Sequence, residues 1–276
     1  MPLKIAIQGY EGCFHQIAAQ NYFNENVEII PCHSFSEVVK KTAENNVDAA
    51  VMAIENSIAG SILPNYNLLQ RSKLYVTGEI FLNIRQHLMM LPGQTLEDIK
   101  EVHSHPMALL QCIDFLDRHI NWRLVETEDT ALSAKSLRTH NTRHVAAIAG
   151  DLAAKLFGLD IVAPNIQTEK KNYTRFLVLN RHENKQWEKA PNKASVYFQV
   201  RNLPGCLGKV LTCIGEDGIN LSKLQSFPVP GGDWLYFFHT DMEFEKLDQL
   251  NHALECMKPL TEKLRVLGIY QKGKTV

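Results

Sequence analysis

The segment VDAAVMAI, Val47 to Ile54, is apolar at every position except Asp48. A strand with one wet face alternates polar and apolar residues, whereas a strand covered on both faces does not. The segment therefore predicts a strand inside a parallel sheet with helices above and below it. Its neighbours agree. Lys4 to Ile7 reads as a short strand ending at Gly9, followed by a helical stretch through Phe14, Ile17, Ala18 and Tyr22. Val27 to Ile30 reads as a second strand. Ser34 and Glu37 have capping-box spacing and open a helix to about Asn45. Strands alternating with helices predict an α/β region.

The pattern then repeats. Leu74 to Leu91 reads as two extended segments leading out of the first lobe. A helical turn at Thr95–Asp98 and one helix from Pro106 through MALLQCIDFLDRH open a second α/β lobe. Trp122 to Glu126 and Val145 to Ile148 read as strands, Thr130 to Thr139 and Asp151 to Phe157 as helices. Asn172 to Leu179 returns as a strand. The expected catalytic domain is residues 1–182, with lobes of about 1–80 plus 165–182, and 81–164. A cleft between lobes is a favoured ligand site.

Residues 183–193 are polar, contain Pro191 and read as a linker. From 194 to 276 the order is βαββαβ, a ferredoxin-like module. Its elements are a strand at Ser195–Val200, a helix ending near Gly215, a strand at Leu221–Phe227 and a hairpin loop at Pro228–Asp233. A strand at Trp234–Thr240, a helix at Lys246–Leu264 and a strand at Arg265–Tyr270 complete it.

Bulk properties exclude several classes. With 29 basic and 30 acidic residues, no strong field favours nucleic acid or an anionic membrane. No apolar run approaches the ~18–20 residues that span a bilayer. The first residues enter a strand without signal-peptide architecture, so a cytoplasmic location is expected. Six cysteines without a Cys-x-x-Cys pair are then expected to be reduced thiols. His103 and His105 alternate, but no Cys/His cluster has zinc spacing, and no metal is expected.

Four stretches carry polar groups where α/β folds bind ligands. IQGYEGCFHQIAA places Gly9 and Gly12 in a turn before a helix, either a plain tight turn or a cradle for an anion. IENSIAG ends the buried strand in Glu55-Asn56-Ser57, at the carboxyl edge of a sheet. Helix capping by Asn56 or Ser57 is compatible with a binding role. VHSHPMALLQC places Ser104 before a Pro-led helix and Gln111 among apolar residues, where a buried amide needs partners. Ser104 reads equally as a cap and Gln111 as a satisfied core amide, while Cys112 has no paired base to make it a nucleophile. KKNYTRFLVLN sets Thr174 and Arg175 at the start of an apolar strand, Arg175 being either a charged ligand or a solvated strand start.

Taken together, these motifs resemble the prephenate dehydratase family. The resemblance rests on Gly9 to Phe14, Glu55 to Gly60, Ser104 to Cys112 and Thr174-Arg175-Phe176, and it covers nearly the whole chain. The tail, with Leu203-Pro204-Gly205-Cys206-Leu207 and Ile219-Asn220-Leu221-Ser222-Lys223, resembles an ACT regulatory domain. The resemblance implies a two-lobed, periplasmic-binding-protein-like α/β catalytic domain plus a C-terminal ferredoxin-like ACT domain. It implies conversion of prephenate to phenylpyruvate in phenylalanine biosynthesis, with no metal or organic cofactor.

Catalytic roles carried over fall on Thr174, Asn56, Gln111 and Glu55. Thr174 would donate a hydrogen bond to the departing hydroxyl oxygen, and Glu55 would orient neighbours. Ser57, Ser104, Arg175, Phe176 and Gly12 would contact substrate, with Arg175 either meeting a carboxylate or holding the strand mouth. L-Phenylalanine would bind near Asn202, Leu203, Pro204, Gly205, Cys206, Leu207, Asn220, Leu221 and Ser226. There the family's Glu-Ser-Arg-Pro reads Gln225-Ser226-Phe227-Pro228. The first turn also departs from the family pattern at Tyr10, Cys13 and His15, and the stretch after Glu-Asn-Ser at Asn65 and Asn67. Many members of the family carry an N-terminal chorismate mutase domain; with a first strand near Lys4 this chain is expected to be monofunctional, and the resemblance implies a homodimer or homotetramer. Arogenate dehydratase and a non-catalytic amino-acid sensor are the alternative readings.

Overall fold

The computed structural model describes residues 2–24, 27–187, 189–229 and 235–276. Strands β1 (Leu3–Gln8), β2 (Val27–Cys32) and β3 (Ala49–Asn56) alternate with helices α1 (Phe14–Phe23) and α2 (Phe35–Ala43). β1 pairs in parallel with β2 and with β3. The first six positions of β3 are buried, as its unbroken apolar run requires. Ser34 caps α2 by accepting from the Glu37 N–H at 3.2 Å. Glu37 reaches back to the His33 N–H at 2.9 Å, one residue earlier than an ideal capping box. The two-residue β4 (Gly60–Ser61) folds back antiparallel on the end of β3. Helix α3 (Leu63–Arg71) and strand β5 (Tyr75–Asn83) follow.

The second sheet contains β6 (His87–Met90), β7 (Glu101–Ser104), β8 (Arg123–Glu126), β9 (Val145–Ala149) and β10 (Asp160–Ala163). Its helices are α4 (Pro106–Gln111), α5 (Ile113–Leu116), α6 (Thr130–His140) and α7 (Asp151–Phe157). The strand order is β10-β6-β9-β7-β8, parallel among β9, β7 and β8 and antiparallel at β6 and β10. Leu88, Met90, Val102, Leu109, Cys112 and Ile148 belong to its core. Strand β11 (Tyr173–Asn180) returns to the first sheet, whose order is β2-β1-β3-β11-β5.

The C-terminal module is β12 (Lys193–Gln199), α8 (Cys206–Glu216), β13 (Asn220–Pro228), β14 (Tyr236–Glu243), α9 (Leu247–Met257) and β15 (Lys263–Tyr270). Its sheet is antiparallel in the order β13-β14-β12-β15, the arrangement expected of a ferredoxin-like βαββαβ unit. Val196 and Phe198 of β12 share a core with Val210 and Ile214 of α8 and Leu250 and Met257 of α9. The α/β sheets and this separate antiparallel module are the fold class expected.

Several expectations are corrected. The helix from Pro106 is broken at Cys112, whose φ of -108° and ψ of 15° leave the helical region. The Gln111 carbonyl accepts from the Thr168 N–H at 2.8 Å, which draws it out of the helical ladder. Helix α9 ends at Met257 and a 3-10 turn at Lys258–Leu260 follows, because Pro259 brings no N–H to a continuing helix. Lys193, placed in the linker by its charge, is a β12 residue with 2% exposure. The hairpin expected at Pro228–Asp233 and the strand start at Trp234 fall largely on residues 230–234, outside the described residues. Cys213 of α8 and Cys256 of α9 are joined as a disulfide, with Cα atoms 6.2 Å apart, so the six cysteines are not all reduced. That pairing follows from the packing of two helices 43 residues apart in sequence, which no local spacing announces.

Compactness divides the chain into Met1–Ile62, Ile80–Phe176 and Thr275–Val276 on one side, and Leu63–Glu79 with Leu177–Lys274 on the other. The second unit therefore contains α3, which the expected division gave to the catalytic domain. The reasons are specific. The Tyr66 ring lies edge-on to His239 at 4.8 Å and tilted to Phe227 at 5.3 Å. The Arg265 guanidinium donates to the Gln70, Ser72 and Leu74 carbonyls at 3.2, 2.7 and 2.9 Å. The Lys193 ammonium meets the Glu79 carboxylate at 3.0 and 3.2 Å, both side chains being buried.

Candidate active site

The polar end of β3 and the start of β11 meet side by side. The Ser57 N–H donates to the Tyr173 carbonyl at 2.8 Å, and the Ser57 hydroxyl accepts from the Tyr173 N–H at 2.9 Å. That hydroxyl also donates to the Lys171 carbonyl at 3.3 Å. Ser57 thus ties two backbones together. Asn56 does the more directional work. Its Oδ1 accepts from the Ile58 and Ala59 N–H groups at 3.0 and 2.8 Å, closing a tight turn. Its Nδ2 donates to Thr174 Oγ1 at 3.0 Å, to Asn172 Oδ1 at 2.7 Å and towards the Tyr173 carbonyl at 3.2 Å. Capping and site roles coexist in this one residue.

Gln111, at the end of α4, joins the same group. Its Oε1 accepts from Asn172 Nδ2 at 3.1 Å and from Gln86 Nε2 at 3.5 Å. Thr174, Asn56 and Gln111 are thereby brought together. Gln111 and Asn172 line a cavity whose wall also includes Ile58, Met107, Leu110, Ile113 and the charged Glu169. These four apolar side chains are exposed, at 37–62%.

The other expected residues have more structural surroundings. Ser104 is fully buried and donates to the Ile148 carbonyl at 2.7 Å, pinning β7 to β9. It does not cap α4, where His105 Nδ1 accepts from the Met107 N–H instead. Alternation along β11 sends Thr174 and Phe176 to one face and Arg175 to the other. Phe176 is buried edge-on to His15 at 5.0 Å between ring centres. Arg175 is 5% exposed, its guanidinium carbon 6.0 Å from the centre of the Phe81 ring. The same alternation turns Glu55, paired across the ladder with Ser61, away from Asn56. The Gly12 N–H donates to Gln16 Oε1 at 2.7 Å. Gly12 has φ +88°, and an added Cβ would lie 3.1 Å from Ala153 Cα. Its place in this structure is a close backbone approach.

The side-chain partner of Thr174 is the Asn56 amide. Burial pushes the Cys112 thiol up to about 12, as suits an inert core cysteine. Burial lowers the His15 imidazole to about 4, and its Nε2 accepts from the Ala53 N–H at 3.3 Å as a neutral ring does. Among the described residues, no group of three or more His, Cys, Asp or Glu side chains is arranged to hold a metal. No described helix is long and apolar enough to cross a membrane.

The sequence reading missed Asn172 and Gln86. The one available signal was the place of Asn172 two positions before Thr174; Gln86, between Arg85 and His87, offered none.

The prephenate dehydratase family profile matches residues 5–184. The chain belongs to the prephenate dehydratase family. It is 36% identical over 97% of its length to an Arabidopsis thaliana chloroplastic arogenate dehydratase/prephenate dehydratase, covering 72% of that protein. It is similar in structure to a prephenate dehydratase from Arthrobacter aurescens in complex with L-Phe, with TM-score 0.88 and 26% identity over 98% of this chain and 90% of that one. It is equally similar, at TM-score 0.88 and 29% identity over 98% of both chains, to GqqA, described as a novel type of quorum quenching acylase. As a member of the prephenate dehydratase family the chain is a lyase of aromatic amino-acid biosynthesis, with an ACT-like C-terminal module beyond residue 184.

In that module the Leu203-Pro204-Gly205 turn leads into α8, with Gly205 at φ +79° as its N-cap and Leu203 exposed. Cys206 and Leu207 are half-buried against the core, as is Leu221, while Asn220 opens β13. Ser226 lies across the ladder from Phe238. Phe227, standing where the family pattern has Arg, is buried and stacks on Phe237 at 4.9 Å.

Proposed function

We propose that Thr174, Asn56 and Gln111 form the catalytic centre for the decarboxylative dehydration of prephenate. Loss of the ring carboxylate as carbon dioxide leaves its electron pair to flow through the ring and expel the hydroxyl group. The departing oxygen, hydrogen-bonded by Thr174, takes a proton from solvent to leave as water, and the ring becomes aromatic. The observation that carries this reading is the orientation of Asn56. Two backbone N–H groups hold its oxygen, so its nitrogen faces Thr174 Oγ1. Thr174 then accepts from Asn56 and keeps its own proton for the departing oxygen. A threonine hydroxyl is too weak an acid to ionise, so its part is a hydrogen bond that strengthens as charge develops.

The exposed side chains of Ile58, Met107 and Leu110 would flank the substrate ring, and Gln111 would orient its substituents. Ser57 and Gly12 would shape the site by holding its backbone. Ser104 would hold α4 in place, and Glu55 would act from the opposite face of β3. The burial of Arg175 beside Phe81 favours its holding the strand mouth over meeting a carboxylate. The test is phenylpyruvate formation from prephenate by the purified protein and by Thr174→Ala. Loss of turnover by orders of magnitude in a folded variant supports the reading, and unchanged turnover discards it.

Arogenate is the second substrate to try, since the Arabidopsis relative carries both activities in its name. The two compounds differ by an amine in place of a keto oxygen, and their specificity constants compared on one preparation decide the preference. L-Phenylalanine at the Leu203-Pro204-Gly205 turn is the proposed effector, in a cytoplasmic homodimer or homotetramer. Equal activity with and without millimolar phenylalanine would discard the effector, and light scattering gives the assembly.

A further inference from the structure

Asn172 has no accessible surface, yet its side chain joins the two ends of the site. Its Oδ1 receives Asn56 Nδ2 at 2.7 Å and its Nδ2 donates to Gln111 Oε1 at 3.1 Å. An amide oxygen and nitrogen are told apart by their partners, so the direction of such a chain has to be argued from groups that cannot flip. Here it can be. The Ile58 and Ala59 N–H groups fix Asn56 Oδ1. Asn56 must then present nitrogen to Thr174 and to Asn172. Asn172 must meet it with oxygen and turn its nitrogen to Gln111. The oxygen of Gln111 is thereby filled, and a second donor, Gln86 Nε2, lies 3.5 Å from it. What Gln111 has left for the cavity is its own N–H groups. The polarity set by two backbone amides at 58 and 59 runs through three side chains.

We propose that Asn172 is a positioning residue for the dehydration. It sets Gln111 as a hydrogen-bond donor towards substrate and holds Asn56 so that the Thr174 hydroxyl remains a donor. It acts through these residues: it stands at the wall of the same cavity as Gln111 but has no accessible surface there, so its part is to orient them. The proposal rests on the catalytic reading of Thr174, Asn56 and Gln111 given above.

The variant that tests it is Asn172→Asp, which keeps shape and changes one donor. Ionised, the introduced carboxyl only accepts, so Gln111 has to turn its nitrogen inward and show an oxygen to the cavity. Protonated, it offers one oxygen acceptor and one O–H donor, the same pair that asparagine offers. Burial raises a carboxyl above its ordinary range, so the change falls at accessible pH. The kcat for phenylpyruvate formation is measured against wild type from pH 8 to pH 5, with folding followed by circular dichroism at each pH. The expected ratio is about 0.01 at pH 8, the size of a misplaced catalytic group. It should rise about tenfold or more towards pH 5 as the carboxyl gains its proton, tenfold per unit being the limit for one group.

Thr174→Ala is measured beside it. A ratio flat with pH, with Thr174→Ala inactive, overturns the role of Asn172 alone. A flat ratio with Thr174→Ala active overturns the catalytic reading itself. Should Asn172→Asp not fold, Asn172→Ala replaces it in a cycle with Gln111→Ala. If Asn172 acts through Gln111, the double variant is no slower than Gln111→Ala, and losses that simply multiply overturn the proposal.

Discussion

The side-chain nitrogen of Asn56 lies 3.0 Å from the hydroxyl oxygen of Thr174, with the Asn56 oxygen already taken by the Ile58 and Ala59 N–H groups. The threonine therefore accepts one hydrogen bond and has one to give. Thr174→Val keeps the shape and removes that donor. Its kcat is expected to fall by about 10²–10³, the range for loss of one positioned hydrogen-bond donor. Steady-state kinetics check the fall, and an unchanged melting temperature shows that the fold survived. Thr174→Ser restores the hydroxyl and should recover part of the rate.

Lys193 and Glu79 form an ion pair with almost no exposure. Lys193→Met takes the ammonium from both Glu79 and Glu243, leaving the buried Glu79 carboxylate with the Gly273 N–H at 3.1 Å, at a cost of about 3–5 kcal/mol. Lys193→Met combined with Glu79→Gln removes both charges and should recover most of that loss. Urea midpoints of the two variants check this. Equal loss in both would mean that packing, not charge, is what Lys193 supplies.

Burial lowers the His15 imidazole from its ordinary 6.5 to about 4 in the folded chain. Between those values the unfolded chain binds the proton that the folded chain refuses. Stability contributed by the neutral ring is thus complete above about pH 6.5 and is lost as pH falls towards 4. The shift corresponds to at most about 3–4 kcal/mol at 1.36 kcal/mol per unit. His15→Asn should show a flatter stability profile over this window in denaturant titrations. An identical slope in the variant would assign the acid sensitivity elsewhere.

Gly12 combines a left-handed backbone with a 3.1 Å approach to Ala153 Cα. Gly12→Ala faces both obstacles and should cost about 1–3 kcal/mol, as backbone held in a sparsely populated region does. Pairing it with Ala153→Gly removes the 3.3 Å contact to the Ala153 methyl but leaves the strain at φ. Partial recovery of the urea midpoint is the expected result. Full recovery would place the whole cost in that methyl contact.

The α/β frame and the motif positions were legible in the amino-acid order because they follow local rules. The nearly apolar run at 47–54 marks a covered strand, found at Ala49–Asn56, and Ser34 with Glu37 three residues on marks a helix start. What was not legible depends on distant partners. The break at Cys112 comes from Thr168 drawing on the Gln111 carbonyl. Lys193 reads as a solvated linker charge until Glu79 lies opposite it. Asn172 and Gln86 carry no motif of their own, and their part is visible only when Asn56 and Gln111 stand on either side. Arg175 shows the converse. Its position in Thr-Arg-Phe suggested an anion ligand, whereas strand alternation buries it behind the face that carries Thr174.

Helix α3 packs with the C-terminal module, and the carbonyls at its end are held by Arg265, which lies 191–195 residues further along the chain. On a ribosome adding about 5–20 residues per second, those carbonyls wait on the order of 10–40 s for their guanidinium to be synthesised. The end of α3 is therefore made early and completed only once β15 has emerged. For that interval it depends on water, or on a chaperone, for the bonds that Arg265 will later provide.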